Sequence, residues 1–289
     1  MGLKEGQGKL QLINHFVFTR DAWSKSGDRR ASRRCRAILR RLELLSENGR
    51  NELQPDTTSF NTVLNALAHS QERGSERRAE SLLEHMDELS SREHNPLTNC
   101  MPDNVSFNIV LKNWARSRDD AAARRADAIL RHMERRYADG DTSIQPDVAT
   151  YNTVLTAWAR SKDPDATNRA EQVLNRMEEL YAEGNMLIRP NALTYNIMIN
   201  ALAKSNNSER IGLALDILKR MKDLSSKEGR QDCRPDVYSY TAAIDALAKL
   251  STIESSRSAE MLLEELEAEY AATKDVAVKP NIRTYTSVS

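Results

Sequence analysis

The chain repeats one pattern. Six segments carry it: PDTTSFNTVLNALAHS from Pro55, PDNVSFNIVLKNWARS from Pro102, PDVATYNTVLTAWARS from Pro146, PNALTYNIMINALAKS from Pro190, PDVYSYTAAIDALAKL from Pro235 and PNIRTYTSVS from Pro280. The prolines at their heads lie 47, 44, 44, 45 and 45 residues apart. An earlier, weaker copy places Phe16 at the aromatic position, with AWSKS at Ala22–Ser26 against AWARS at Ala157–Ser161. A unit this short cannot bury its own apolar face, so self-similarity at such a period restricts the fold to units stacked on their neighbours.

Each unit reads as two helices. In the first, Tyr151, Val154, Leu155 and Trp158 fall at i, i+3, i+4 and i+7, one apolar stripe on a helical period. The Pro-Asp or Pro-Asn pair breaks the preceding helix, and a Ser or Thr just ahead of the aromatic is placed to cap the new one. The second helix repeats the spacing with Ala170, Val173, Leu174 and Met177, matched by Ala79, Leu82, Leu83 and Met86 and by Ala126, Ile129, Leu130 and Met133. Aromatic and alanine stand 19 residues apart, as from Tyr151 to Ala170 and from Tyr195 to Ala214. The expected fold is all-α, a right-handed superhelical solenoid of stacked helix-turn-helix repeats, with the aromatics, Trp114 and Trp158 in its core. The register predicts an extension over 1–11 and a degenerate repeat over 12–56. Repeats follow over 57–103, 104–147, 148–191, 192–236 and 237–281, with the start of another at 282–289.

Composition agrees with a helical array. Charged residues make up 29% and apolar residues 39%, with 10 Gly and 8 Pro, too few for a fold of strands and tight turns. No apolar run of about 18 residues exists to span a membrane. Net charge is zero, but residues 1–50 hold 12 Lys/Arg against 5 Asp/Glu, so the placement of charge matters more than its sum. Cys35, Cys100 and Cys233 show no metal-ligand spacing and cannot all pair, which predicts a reducing compartment. His15, His69, His85, His94 and His132 hold no metal or nucleophile–base spacing, and there is no glycine-rich phosphate loop. The expectation is a protein that is not an enzyme and has no cofactor, metal or small-molecule substrate. The amino terminus lacks the apolar core of a secretory signal, the Arg- and Ser-rich pattern of a transit peptide, and a myristoylation signal.

Aromatic-Asn-hydrophobic in the first helix, a basic residue nine places after the aromatic, Ala and Leu-rich turns with a Met in the second, then Pro-Asp: this resembles the pentatricopeptide repeat. The likeness runs from about residue 12 to the end. The tetratricopeptide repeat, with its 34-residue period and Trp, Leu-Gly, Tyr pattern, does not fit. The units are longer than the roughly 35 residues usual in the family. The excess falls between the helices and after the second one, away from the first helices.

The resemblance implies binding of single-stranded RNA at one nucleotide per repeat, in RNA processing, stability, editing or translation in a mitochondrion or chloroplast. It also implies two base-reading columns, one just after the aromatic and one just after the closing proline. The pairs are Asn61 with Asp103, Asn108 with Asp147, Asn152 with Asn191, Asn196 with Asp236, and Thr241 with Asn281. By the family's reading rule they spell 5′-UUCUA-3′. The other reading is that the Asn column hydrogen-bonds the neighbouring repeat and the Asp/Asn column makes the turn. Nine places after the aromatic stand Lys25, His69, Arg116, Arg160, Lys204 and Lys249, a basic stripe suited to phosphates or, alternatively, cations favoured at helix carboxyl ends. Two places before it lie Thr58, Val105, Ala149, Leu193, Tyr238 and Arg283, of which Val105, Leu193 and Tyr238 are the candidate stacking surfaces. A helical-repeat scaffold for a protein or peptide is the competing function. The chain stops early in a repeat, which reads as a piece of a longer protein.

Overall fold

The computed structural model describes residues 30–48, 54–70, 72–91, 100–204 and 207–287. Among them every regular element is helical. There are twelve α-helices and three single 3-10 turns, and no strand. The chain falls into two compact units, 1–146 and 147–289. The first unit holds α1 (Ala31–Glu47), α2 (Thr57–His69), α3 (Ser75–Ser91), α4 (Asn104–Arg116) and α5 (Ala122–Ala138). The second holds α6 (Val148–Arg160), α7 (Ala166–Ala182), α8 (Ala192–Leu202), α9 (Ser208–Lys227), α10 (Val237–Ala248), α11 (Ile253–Thr273) and α12 (Ile282–Thr286). The 3-10 turns, Met186–Ile188, Gln231–Cys233 and Val276–Val278, follow α7, α9 and α11.

Packing follows the repeat. Within the first unit α2 lies against α1, α3 and α4, and α4 against α3 and α5. Within the second, α8 packs on α6, α7, α9 and α10, and α10 on α11 and α12. First helices therefore neighbour first helices, each backed by its own second helix. The aromatic column is the centre of this packing: Phe60, Phe107, Tyr151, Tyr195 and Tyr240 are all buried, as are Trp114 and Trp158. So are Ala170, Val173, Leu174 and Met177 of α7, and their counterparts Ala79, Leu83 and Met86 of α3 and Ala126, Ile129, Leu130 and Met133 of α5. Each large apolar side chain moved out of water is worth about 1.5–3 kcal/mol. The stripe therefore drives the stacking.

Six first helices begin the same way, and not with the Ser or Thr expected as cap. The cap is the Asp or Asn after the proline: Asp56, Asp103, Asp147, Asn191, Asp236 and Asn281, all in extended conformation. Their Oδ1 atoms accept the backbone N–H three residues on, at 2.8 Å from Ser59, Ser106 and Thr150, 3.2 Å from Thr194, 2.9 Å from Ser239 and 3.1 Å from Thr284. The Ser or Thr sits inside the first turn. From Ser106 onward its hydroxyl accepts the cap residue's own N–H, completing a capping box. Proline ends the preceding segment, and the extended residue after it holds a short acceptor side chain within reach of the free N–H groups. Replacing Asp56, outside the five proposed reading pairs, by Ala is expected to cost about 1 kcal/mol. Urea denaturation with hydrogen exchange across α2 measures it.

The thiols are inert. Cys35, Cys100 and Cys233 are buried and none is in a disulfide, and burial pushes the thiols of Cys100 and Cys233 up to about 11. No described helix is long and apolar enough to cross a membrane.

Candidate nucleic-acid interface

At about 100° per residue, the columns two before, one after and nine after the aromatic fall within about 80° of one another. The buried aromatic stripe points the opposite way. The first helices therefore bury the aromatic stripe and carry the stacking and basic columns on the far side, with the reading column at the edge between neighbouring first helices.

The stacking column is exposed throughout, at Thr58, Val105, Ala149, Leu193, Tyr238 and Arg283. Its apolar members stand out against the core, with Val105 55%, Leu193 58% and Tyr238 70% exposed. Water-facing side chains of this size are costly to leave bare, and in one column they form surfaces on which a base can stack.

The two reading columns meet. Asn61 Nδ2 donates to Asp103 Oδ1 at 3.3 Å, and Asn196 Nδ2 donates to Asp236 Oδ1 at 3.1 Å. The capping-box hydroxyl closes each pair: Ser106 Oγ donates to Asn61 Oδ1 at 2.7 Å and Ser239 Oγ to Asn196 Oδ1 at 2.6 Å. What remains outside this network is one amide hydrogen of each Asn and Oδ2 of each Asp, one donor beside one acceptor. Sequence reading placed these pairs and missed the serine that joins them; the Asp-x-x-Ser spacing of a capping box was its signal.

The remaining pairs differ. Asn152 is buried, its Oδ1 is without a hydrogen-bond partner, and Asn191 uses Oδ1 as a cap while its amide nitrogen is uncommitted. Thr241 is also buried. Its hydroxyl lies 2.6 Å from the Val237 carbonyl and 3.0 Å from the Thr284 hydroxyl, which in turn donates to Asn281 Oδ1 at 3.2 Å. Asn108 is half-buried on α4 and Asp147 caps α6, in different units.

The basic column stands at the carboxyl ends of the first helices. Lys25 lies outside the described residues; His69, Arg116, Arg160, Lys204 and Lys249 are exposed. The Nζ of Lys204 donates to the Ala159 carbonyl and that of Lys249 to the Ala203 carbonyl, so each lysine caps the end of the preceding first helix. Each ammonium keeps two further N–H donors. Partial burial, then the positive charges of Arg160 and Lys249, hold the Lys204 pKa below its usual value. Lys204 thus feels the cation on either side of it in the column. No described carboxylate pairs with Arg116, Arg160, Lys204 or Lys249. The second helices are the reverse: Arg125 pairs with Glu80 at 3.6 Å, Arg220 with Glu178 at 2.9 Å and Lys222 with Glu265 at 2.6 Å. Second helices are thus tied by ion pairs, while the basic column of the first helices has no described carboxylate partner.

A chain of paired helices whose first helices expose a stacking column and a basic column is a helical-repeat protein. Residues 128–205 match the family model of the pentatricopeptide repeat domain, and residues 193–225 match that of the PPR repeat. Residues 128–225 therefore carry pentatricopeptide repeats, a helical-repeat type whose family binds RNA and is generally non-catalytic. No curated protein matches it.

Proposed function

We propose that the protein binds single-stranded RNA along the first helices, one nucleotide per repeat, with preference for UUCUA. The observation that supports this is the uncommitted donor and acceptor left side by side where the columns meet at 3.3 Å and 3.1 Å, in bonds that also tie each repeat to the next. The free donor of Asn61 or Asn196 and the free acceptor of Asp103 or Asp236 complement the carbonyl and N3–H of uracil; cytosine, whose N3 is an acceptor, would face the carboxylate. Asn191 and Asn281, with amide N–H groups free, suit the acceptor nitrogens of cytosine and adenine. Asn108 with Asp147 belongs to the uracil type by composition. Val105, Leu193 and Tyr238 hold the bases apart, and Arg116, Arg160, Lys204 and Lys249 hold the phosphates. By family resemblance the setting is RNA metabolism in a mitochondrion or chloroplast.

Fluorescence polarisation with a UUCUA-containing RNA, a scrambled RNA and the matching DNA, at two salt concentrations, tests it. The expected result is tightest binding to the first, weakening as salt rises. Equal binding to all three, or none, refutes it; capture of a peptide by the same surface would make the protein a scaffold.

A further inference from the structure

A fourth column lies inside the face. The residue five after the aromatic falls at about 140° when the aromatic is set at zero, between the reading column and the basic one. In the second unit these residues are Thr156, Asn200 and Asp245, on α6, α8 and α10. In the first unit the position holds Asn65, the same residue type as Asn200, and Lys112, which only donates.

The hydrogen bonds of this column decide what it offers. Thr156 Oγ1 donates its only proton to the Asn152 carbonyl at 2.7 Å. Asn200 Nδ2 lies 2.8 Å from the Asn196 carbonyl, and since a carbonyl only accepts, the amide nitrogen must be the inward atom and Oδ1 the outward one. Asp245 is a carboxylate and accepts only. Three successive first helices therefore present acceptors. Asp245 also places the column: its Oδ2 accepts from Arg283 Nη2 at 2.7 Å and its Oδ1 from Ser287 Oγ, so this position borders the stacking position of the following first helix, and each oxygen keeps one further lone pair.

An acceptor line beside an anionic strand cannot face phosphates, which are themselves acceptors. It suits a donor that recurs once per nucleotide whatever the base. The ribose 2′-hydroxyl is that donor, and DNA lacks it. Resting on the RNA-binding reading above, we infer that Thr156, Asn200 and Asp245 contact ribose 2′-hydroxyls and make the second unit selective for RNA over DNA.

The test is a deoxy scan: the UUCUA RNA is bound with a single 2′-deoxy substitution at each position in turn, to wild type, Thr156→Val, Thr156→Ser and Asn200→Ala. Thermal melting controls for folding. Loss of one neutral hydrogen bond weakens binding by about fivefold. Deoxy substitution within the last three nucleotides is expected to do so in wild type. Thr156→Val and Asn200→Ala should each lose that sensitivity at one nucleotide, while Thr156→Ser keeps it. Sequence-selective RNA binding with no sensitivity to deoxy substitution overturns this inference and leaves RNA binding standing. So do variants that weaken native and deoxy-substituted RNA alike. Wild type that binds no RNA overturns both.

Discussion

Replacing Arg160, Lys204 and Lys249 together by glutamine is expected to lower affinity for single-stranded RNA by about a hundredfold at low salt. The slope of log affinity against log salt should fall by about 2, since each phosphate contact on a single strand contributes about 0.7. Base preference, measured as the ratio between UUCUA and scrambled RNA, should not move, because the reading side chains are untouched. Stability should change little: two lysine bonds to the Ala159 and Ala203 carbonyls are lost, while the burial cost of the charge and the repulsion from its neighbours, which together depress the Lys204 pKa, are relieved. Salt-titrated polarisation and a thermal melt measure the two halves. An unchanged salt slope would mean that the column only caps helices.

The second large effect is on folding. Tyr195 is buried between α8 and its neighbours, and its hydroxyl donates to Glu178 Oε1 at 3.3 Å. Burial, and then the charge of Glu178, raise the phenol pKa well above its usual value. Tyr195→Ala is expected to cost about 3–5 kcal/mol, the range for deleting a buried aromatic ring. Tyr195→Phe keeps the ring and should cost about 1 kcal/mol for the hydrogen bond. In a repeat array stability is a sum of local and nearest-neighbour terms. Amides of α8 and α9 should therefore lose hydrogen-exchange protection while those of α2 and α3 keep theirs. Urea unfolding gives the magnitude and exchange gives the place.

The fold was largely legible in the sequence because it is written by spacing. The i, i+3, i+4, i+7 stripe from Tyr151 to Trp158 marks the buried face, and the proline marks each break. The cap was misplaced by three residues. Ser and Asp are both good caps, and composition does not say which of two candidates takes the extended backbone; the proline just before Asp147 does. At the site, columns follow from periodicity, so the positions of Asn196 and Asp236 were readable. Their hydrogen bond, and the Ser239 bridge, depend on how neighbouring first helices lie together, which periodicity along one helix cannot express. Thr241 shows the same limit. It is polar in sequence and in register, yet its hydroxyl is spent on Val237 and Thr284.

The residue after each closing proline serves two masters. Asp103, Asn191, Asp236 and Asn281 start a helix with Oδ1 and stand in a candidate reading column with whatever atoms are left. For anyone recoding this array, the usable alphabet at that position is the short list of good helix starters, Asp, Asn, Ser, Thr and Gly. An Arg, Gln or Tyr there, however well matched to a base, would unfasten the helix that has to carry it. The choice of letters is thereby set by folding before any nucleotide arrives.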